Sequence, residues 1–177
     1  RHQLSDYPHI SAAALEALGD EEQPTDLALR LDYHLKHILV DEFQDTSTMQ
    51  VSLLKKLTHG WEVGDDRTLF IVGDGMQSCY GFRNARVGLF LAARDNGIGN
   101  IRFDDLRLTS NFRSEAAVVS WVNDVFQGAF PAKDDISRGG VSYNPAEAVN
   151  ENSAAAGIRT CLFSADKDLA LNKERQR

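Results

Sequence analysis

Two adjacent carboxylates, Asp41 and Glu42, follow directly after the short apolar run Ile38-Leu39-Val40, which has the composition of a buried strand. Two acids at the end of such a strand are costly unless a cation or a hydrogen-bond network stabilises them. Magnesium beside a nucleotide phosphate is a suitable partner, with Asp41 binding the ion and Glu42 orienting or deprotonating the attacking water. The alternative is a solvated turn that caps the next helix. The apolar run before the pair favours an ATPase site.

A second group of polar side chains follows the apolar run Thr68-Leu69-Phe70-Ile71-Val72. Gly73-Asp74-Gly75 ends this strand, and the carboxyl ends of parallel strands meet at one edge of a sheet. We therefore expect its side chains to lie near Asp41. Gln77, a neutral donor and acceptor, is suited to sensing whether a terminal phosphate or a water is present.

Aromatic residues beside a guanidinium follow the same turn. Tyr80 and Phe82 flank Gly81 and precede Arg83. If the rings are exposed, they form a surface on which unpaired bases stack. The alternative is that both rings pack in the core, as aromatic residues commonly do.

A third segment, Asn111-Phe112-Arg113-Ser114, is expected at a junction between a strand and a helix. Arg113 could reach a phosphate, as arginine does when it stabilises developing charge in phosphoryl transfer. Phe112 offers a flat face for a purine. The alternative is a core phenylalanine beside an arginine in a surface ion pair.

The elements that position these residues alternate between strands and amphipathic helices. Helices are expected from Ile10 to Leu18 before Gly19, from Leu27 to Leu35, from a cap at Ser47 to Gly60, from Val87 to Arg94 with a stop near Gly97, and from a cap at Ser114 through Val125. Strands are expected at Ile38–Val40, Thr68–Val72, Leu106–Leu108 and Gly157–Phe163, with a long loop over residues 131–156. Apolar strands that alternate with helices predict an α/β fold whose parallel sheet is covered on both sides.

Composition sets the broad class. The chain has 177 residues, 42% of them hydrophobic and 25% charged, which is typical of a globular protein. Its net charge of -7 provides no global attraction for nucleic acid, so any such contact must be local. The widely separated Cys79 and Cys161 form no metal or redox motif and suit a reducing compartment. Without a membrane span or a signal peptide pattern, we expect a cytoplasmic protein with no membrane partner.

In this order, the three segments resemble motifs II, III and IV of the superfamily 1 DNA helicases, in the branch of UvrD, Rep and RecB-like proteins. Asp41-Glu42-Phe43-Gln44-Asp45-Thr46 resembles the Walker B segment of that family. Residues 73–83 resemble the motif that joins ATP hydrolysis to single-stranded DNA, and Leu108 through Ser114 resembles the segment that opens the second motor domain. The resemblance covers roughly residues 1–130.

The resemblance implies a RecA-like motor fold of the P-loop class. Residues 1–105 would be the C-terminal half of the first motor domain, and residues 106–177 would be the start of the second one with its long loop. The implied function is an ATP-dependent DNA helicase that translocates on DNA and unwinds it. Single-stranded and duplex DNA are the implied partners, together with other components of a helicase–nuclease complex acting in recombinational repair.

The resemblance also implies roles for the candidate residues, with ATP and Mg2+ as cofactors. Asp41 and Glu42 would hold the magnesium, and Glu42 would activate water. Gln77 would couple the phosphate state to the grip on DNA. Arg113 would contact the terminal phosphate and Phe112 would lie near the adenine, while the bases of the translocated strand would touch Tyr80, Phe82 and Arg83. Cys79 and Gly81 depart from the usual residues of the family, so details of the DNA contact are expected to differ from its pattern.

The chain also departs from the family pattern at the phosphate-binding loop. No lysine follows a glycine anywhere in the chain, so the Gly-x-x-x-x-Gly-Lys-Ser/Thr loop that holds the triphosphate is absent. We therefore expect a middle fragment of a helicase that does not hydrolyse ATP by itself. Two alternatives stay open. One is a non-catalytic DNA- or protein-binding module with a degenerate motor fold, and the other is a zinc hydrolase that uses His34, His37, Asp41 and Glu42.

Overall fold

The computed structural model describes residues 6–20, 22–79, 86–153 and 157–161. These residues form two compact units. The first takes in the described residues up to Arg107 together with Ala129–Tyr143, and the second takes in Leu108–Gly128 and the described residues from Asn144 onward. Each unit combines helices with a parallel pair of strands, so the α/β class is confirmed. The proposed domain boundary between residues 105 and 106 stays a prediction.

The first unit contains four helices and two strands among its described residues. In chain order they are α1 (Tyr7–Ala17), α2 (Asp26–His34), β1 (His37–Val40), α3 (Thr48–Leu57), β2 (Thr68–Ile71) and α4 (Val87–Asn96), with short 3-10 turns at Phe43–Asp45 and Gly75–Gln77. Strands β1 and β2 are parallel, with His37 opposite Thr68 and Val40 opposite Ile71. The predictions of both strands and of these four helices are confirmed.

Local sequence signals set two of the helix ends. Ser47 begins α3 in a capping box, because its side chain accepts from the backbone of Gln50 while the Gln50 side chain accepts from the backbone of Ser47. Gly97 ends α4 with a φ of 79°, and a methyl group on it would lie 1.9 Å from the carbonyl oxygen of Ile101. Only glycine fits that position.

The β1–β2 pair is covered on one face only, among the described residues. Its inner side chains, Ile38, Val40, Leu69 and Ile71, pack against a core of Phe43, Leu54, Ala93 and Ile98. On the other face, Leu39 is 70% exposed and Phe70 is 55% exposed. The expectation of a sheet covered on both sides is therefore wrong for this part of the chain.

Arg67 fixes the start of β2. Its guanidinium donates to Asp65 at 2.7 Å, to Asp32 of α2 at 2.8 Å and to the carbonyl oxygen of Gly60 at 2.6 Å, and it lies over the ring of Trp61. Burial alone would lower the pKa of Arg67, but the hydrogen bonds and charges of Asp65 and Asp32 raise it. The cluster joins α2 to the loop that leads into the strand.

The second unit contains β3 (Ser110–Glu115), α5 (Ala116–Phe126) and β4 (Glu147–Asn150). The strands are parallel, with Ser110 opposite Glu147 and Asn111 opposite Ala148. Helix α5 packs on both strands. The side chain of Asn123 joins this helix to the approach to β4, because its amide donates to the carbonyl of Ala146 and accepts from the N–H of the same residue.

Three predictions for the second half of the chain are wrong. Leu106–Leu108 is not a strand, and Leu106 and Leu108 are 79% and 91% exposed. Strand β4 lies inside the predicted long loop of residues 131–156. Residues 157–161 of the predicted last strand have no regular structure, and the rest of that prediction lies outside the described residues.

The start of α5 also differs from the prediction. The N-cap is Glu115 rather than Ser114, and it makes no side-chain cap bond. The side chain of Asn152 instead accepts a hydrogen bond from the backbone N–H of Ala117 at 2.7 Å. Across the described part of the chain, none of the helices has the length and apolar character needed to cross a membrane.

Candidate functional site

Asp41 and Glu42 follow β1 in a tight turn. Glu42 has φ 52° and ψ 41°, a left-handed conformation that residues other than glycine rarely adopt. Asp41 Oδ1 accepts from the backbone N–H of Glu42 at 2.9 Å. The next residue, Phe43, is fully buried and its N–H donates to the carbonyl of Val72 at 2.9 Å, which ties the turn to the end of β2. Both carboxylates lie exposed above an anchored, strained turn, as is common at functional sites.

The buried side chain of Gln44 joins the ends of the two strands. Its Nε2 donates to Glu42 Oε2 at 2.6 Å, and its Oε1 accepts from the backbone N–H of Asp74 at 3.0 Å. Only 1% of Gln44 is exposed. Gly73 leaves room for it, since a methyl group on Gly73 would lie 2.6 Å from Gln44 Oε1. The amide therefore fixes the direction of the Glu42 carboxylate.

Asp74 continues this network to Gln77. One carboxylate oxygen of Asp74 accepts from the N–H of Met76 at 2.9 Å, and the other accepts from Gln77 Nε2 at 2.7 Å. A continuous hydrogen-bonded chain thus runs from Glu42 through Gln44 and Asp74 to Gln77. The two strand ends lie at one edge, as their parallel order predicts.

The segment after Gln77 is attached, at both of its described ends, to the 3-10 turn Phe43–Asp45 and to the residue that follows it. Ser78 Oγ donates to Asp45 Oδ1 at 3.1 Å, and the N–H of Arg86 donates to the carbonyl of Thr46 at 3.3 Å. Of the predicted DNA-binding residues, Tyr80, Phe82 and Arg83 lie outside the described residues.

The chemistry of the donor set is compatible with a hydrated magnesium ion. Asp41 and Glu42 form no ion pair with a lysine, arginine or histidine of the described residues. Magnesium is commonly held by one or two carboxylates, with water and substrate phosphates completing its shell. Within the same residues, no group of three or more His, Cys, Asp or Glu side chains could hold a metal, which leaves the zinc alternative without a site. His37, one of its proposed ligands, is hydrogen-bonded to Thr68 at 3.0 Å.

Phe112 and Arg113 lie in β3 of the second unit. Phe112 is 72% exposed, so it is not a core residue. Arg113 has no ion pair among the described residues, which removes support for the surface ion-pair alternative. Asn111 Oδ1 accepts from the N–H groups of Arg113 and Ser114, and Asn150 Nδ2 donates to the carbonyl of Phe112 at 2.6 Å. The backbone beneath both side chains is therefore held in place.

Sequence reasoning missed the part played by Gln44. Its position two residues after Glu42 was visible, but an amide is chemically unremarkable until its two partners are known. One of these partners, the backbone N–H of Asp74, lies 30 residues further along the chain.

Comparison with known proteins agrees with these features. The family model of the UvrD/REP helicase N-terminal domain matches residues 1–97. An ATP-dependent helicase/nuclease subunit from Lactococcus lactis subsp. lactis (strain IL1403) is 40% identical over 123 residues, covering 69% of this chain and 10% of that protein. The exonuclease/helicase subunit RexA of Lactococcus lactis subsp. cremoris (strain MG1363) is 35% identical over 160 residues, covering 81% of this chain and 12% of that protein.

A similar match extends over more of the chain. An ATP-dependent helicase/nuclease subunit from Moorella thermoacetica (strain ATCC 39073 / JCM 9320) is 35% identical over 185 residues, covering 89% of this chain and 13% of that protein. The chain thus spans about a tenth of the length of the curated relatives it matches. The family model covers more than half of the chain, and the chain therefore belongs to the UvrD/REP helicase family.

Proposed function

We propose that this chain is part of the motor of an ATP-dependent DNA helicase. The observation that carries the proposal is the hydrogen-bonded chain from Glu42 through Gln44 and Asp74 to Gln77. This hydrogen-bonded chain links the carboxylates of Asp41 and Glu42, which are suited to phosphate chemistry, with Gln77, which is suited to sensing whether the terminal phosphate is still present. Relatives of this chain are named as helicase/nuclease subunits, which supports a longer helicase that works together with a nuclease. We propose that this longer protein translocates on DNA and unwinds it, and that it acts in recombinational repair.

Asp41 and Glu42 would act at the nucleotide. Bound ATP would supply the phosphoanhydride bond, and Mg2+ would supply the positive charge that neutralises the phosphates. Asp41 has one oxygen engaged by the Glu42 N–H, which leaves the other for the hydrated ion. Glu42 would accept the proton of the attacking water through the oxygen that Gln44 does not hold.

Gln77 would report the state of the nucleotide to the DNA-binding segment. Its side chain is exposed, and its amide nitrogen is held by Asp74 at 2.7 Å. This leaves the amide oxygen able to accept from a water at the terminal phosphate. A change there would reach Asp74 and the turn that leads to residue 80. We propose Gln77 as the coupling residue on this ground.

We also propose that Arg113 and Phe112 contact a nucleotide. The proposal rests on the family resemblance of residues 108–114, on the exposure of Phe112 and on an arginine without an ion pair among the described residues. Arginine stabilises charge that develops on a transferred phosphoryl group, and aromatic faces stack on purines. Arg113 would contact the terminal phosphate and Phe112 would lie near the adenine.

Single-stranded DNA binding is expected to depend on Tyr80. In a longer protein that contains this chain, Tyr80→Ala should weaken binding by about 1–3 kcal/mol if the ring stacks on a base. Fluorescence anisotropy with labelled oligothymidine measures the change, and Tyr33→Ala on the exposed face of α2 is the control. Unchanged affinity with a lower melting temperature would show that Tyr80 is a core residue. Phe82 and Arg83 are proposed to touch the same strand.

The chain by itself is expected to show no ATP turnover. It has no Gly-Lys-Ser/Thr loop to hold the triphosphate, so correctly placed carboxylates have no bound substrate to act on. Phosphate release is measured at high protein concentration, with and without Mg2+ and single-stranded DNA. Robust magnesium-dependent turnover of this chain would contradict its assignment as one part of the motor.

The same assay on a longer protein tests the function itself. A longer protein with a Gly-Lys-Ser/Thr loop before residue 1 is expected to hydrolyse ATP faster when single-stranded DNA is added. If that protein binds DNA but shows no magnesium-dependent hydrolysis, the chain belongs to a binding module with a degenerate motor fold.

A further inference from the structure

The segment Ala129–Tyr143, here called the return segment, has an unusual place in the chain. It follows α5 of the second unit, yet it packs within the first unit, and the chain then continues into the second unit at Asn144. The return segment therefore lies in the first unit, while the residues bonded to it on both sides, Gly128 and Asn144, lie in the second unit.

The return segment is an ordered loop. The rings of Phe130 and Tyr143 contact each other near its two ends, with centroids 5.7 Å apart. Asp135 and Gly140 exchange two backbone hydrogen bonds of 2.7 and 2.9 Å across its middle. The segment is therefore held by its own contacts and can act as one piece.

Its first contact with the rest of the unit is α4. Asp134 pairs with Arg94 at 2.8 Å and also accepts from the backbone and hydroxyl of Ser142. Burial alone would raise the pKa of Asp134, but the bonds from Ser142 and Arg94 hold that pKa below its usual value. Gly88 makes the approach possible, since a methyl group on it would lie 2.4 Å from the carbonyl oxygen of Ile136.

Its second contact is the 3-10 turn that carries Gln77. A methyl group on Gly75, the first residue of that turn, would lie 2.9 Å from a methyl carbon of Val141. The return segment thus contacts both α4 and the turn next to Asp74. These contacts restrict the positions that the turn can take.

We propose that the return segment positions the Gln77 turn so that nucleotide state and DNA binding remain coupled. The inference rests on the proposed function, in which Gln77 couples the two. Asp134, Arg94 and Gly88 are positioning residues, because they act on Gln77 through the packing of the segment. Displacing the segment should loosen the turn while leaving Asp41 and Glu42 in place.

Gly88→Ala tests the proposal in a longer protein that hydrolyses ATP. Alanine favours a helix over glycine, so the change is harmful only if the return segment lies against position 88. The measured quantity is the ratio of ATP turnover with and without oligothymidine. This ratio is expected to fall by about tenfold, which is less than the roughly 100-fold that a misplacement of 1 Å can cost. A loss of folded protein alone would lower both rates equally and leave the ratio unchanged.

Gly128→Ala is the matched control, because no atom lies within 4 Å of the added methyl group. Its ratio is expected to equal that of the wild type. If Gly88→Ala keeps the wild-type ratio, the proposal is overturned.

If Gly88→Ala does not fold, a second pair of variants tests whether the return segment positions the Gln77 turn. Arg94 has two carboxylate partners, Asp134 in the return segment and Asp95 in its own helix. Asp134→Ala should lower the ratio and Asp95→Ala should not. Equal ratios in these two variants would overturn the proposal. A wild-type protein without DNA-stimulated hydrolysis would instead overturn the proposed function, and the inference with it.

Discussion

Glu42→Gln, in a longer protein that hydrolyses ATP, is expected to lower the turnover number by about 100- to 10,000-fold while nucleotide binding stays near normal. The substitution removes only the group that accepts the proton of the attacking water. A glutamine of the same shape can still accept from Gln44 Nε2, which lies 2.6 Å from the carboxylate in the wild type. Asp41 and the backbone turn are unchanged, so the hydrated ion keeps its ligand.

Single-turnover hydrolysis and the binding of a fluorescent ATP analogue measure the two quantities separately. Glu16→Gln on the exposed side of α1 is the matched control, because it makes the same change of charge away from the site. Turnover within about tenfold of the wild type would contradict a role for Glu42 as the base. Loss of nucleotide binding together with turnover would show that Glu42 mainly holds the metal.

The parts of the fold that could be predicted are those set by local chemistry. Strands β1 and β2 are short, mostly apolar runs that are followed within three residues by Asp41 and Asp74, and α3 has both partners of its capping box within four residues. Gly97 marks the end of α4 because the next turn needs a left-handed residue without a side chain. Each of these signals lies within the element that it specifies.

The parts that could not be predicted depend on partners far along the chain. Leu106 and Leu108 have the apolar character of a strand, but β3 forms over Ser110–Glu115, where Phe112 is the one apolar residue, because β4 pairs with it. Strand β4 itself lies 32 residues beyond the end of β3 and has no apolar run. The cap of α5 comes from Asn152, on the far side of β4. Propensity within a short window contains none of this information.

In the candidate site, too, some residues could be predicted from the sequence and others could not. Asp41, Glu42, Asp74 and Gln77 could be placed together from the parallel order of their strands, without knowing any side-chain contact. Gln44 could not be assigned, because its role is to bridge two groups that only the folded chain brings together. The bridge makes Gln44 the second residue whose replacement should have a large effect.

Gln44→Leu is expected to destabilise the chain and, in the longer protein, to slow hydrolysis. Leucine fills most of the buried space but leaves the N–H of Asp74 without its acceptor, which costs about 1–3 kcal/mol of unfolding free energy. The Glu42 carboxylate also loses the donor that orients it, so turnover should fall by about 10- to 100-fold. Urea denaturation of this chain and steady-state hydrolysis by the longer protein measure the two effects. Gln127→Leu, at the exposed end of α5, is the control.

Gln44→Glu separates the orientation of the Glu42 carboxylate from the packing of the side chain at position 44. The new side chain keeps an acceptor for Asp74 but places a second carboxylate where the amide now lies 2.6 Å from Glu42. Two carboxylates at that distance cannot both be ionised without strong repulsion, so the pKa of one of them must rise. The acidic limb of the pH profile of hydrolysis should therefore move to higher pH than in the wild type. If both variants hydrolyse ATP at the wild-type rate and with the wild-type pH profile, Gln44 does not orient Glu42, and the link from the Glu42 carboxylate to Gln77 has no part in hydrolysis.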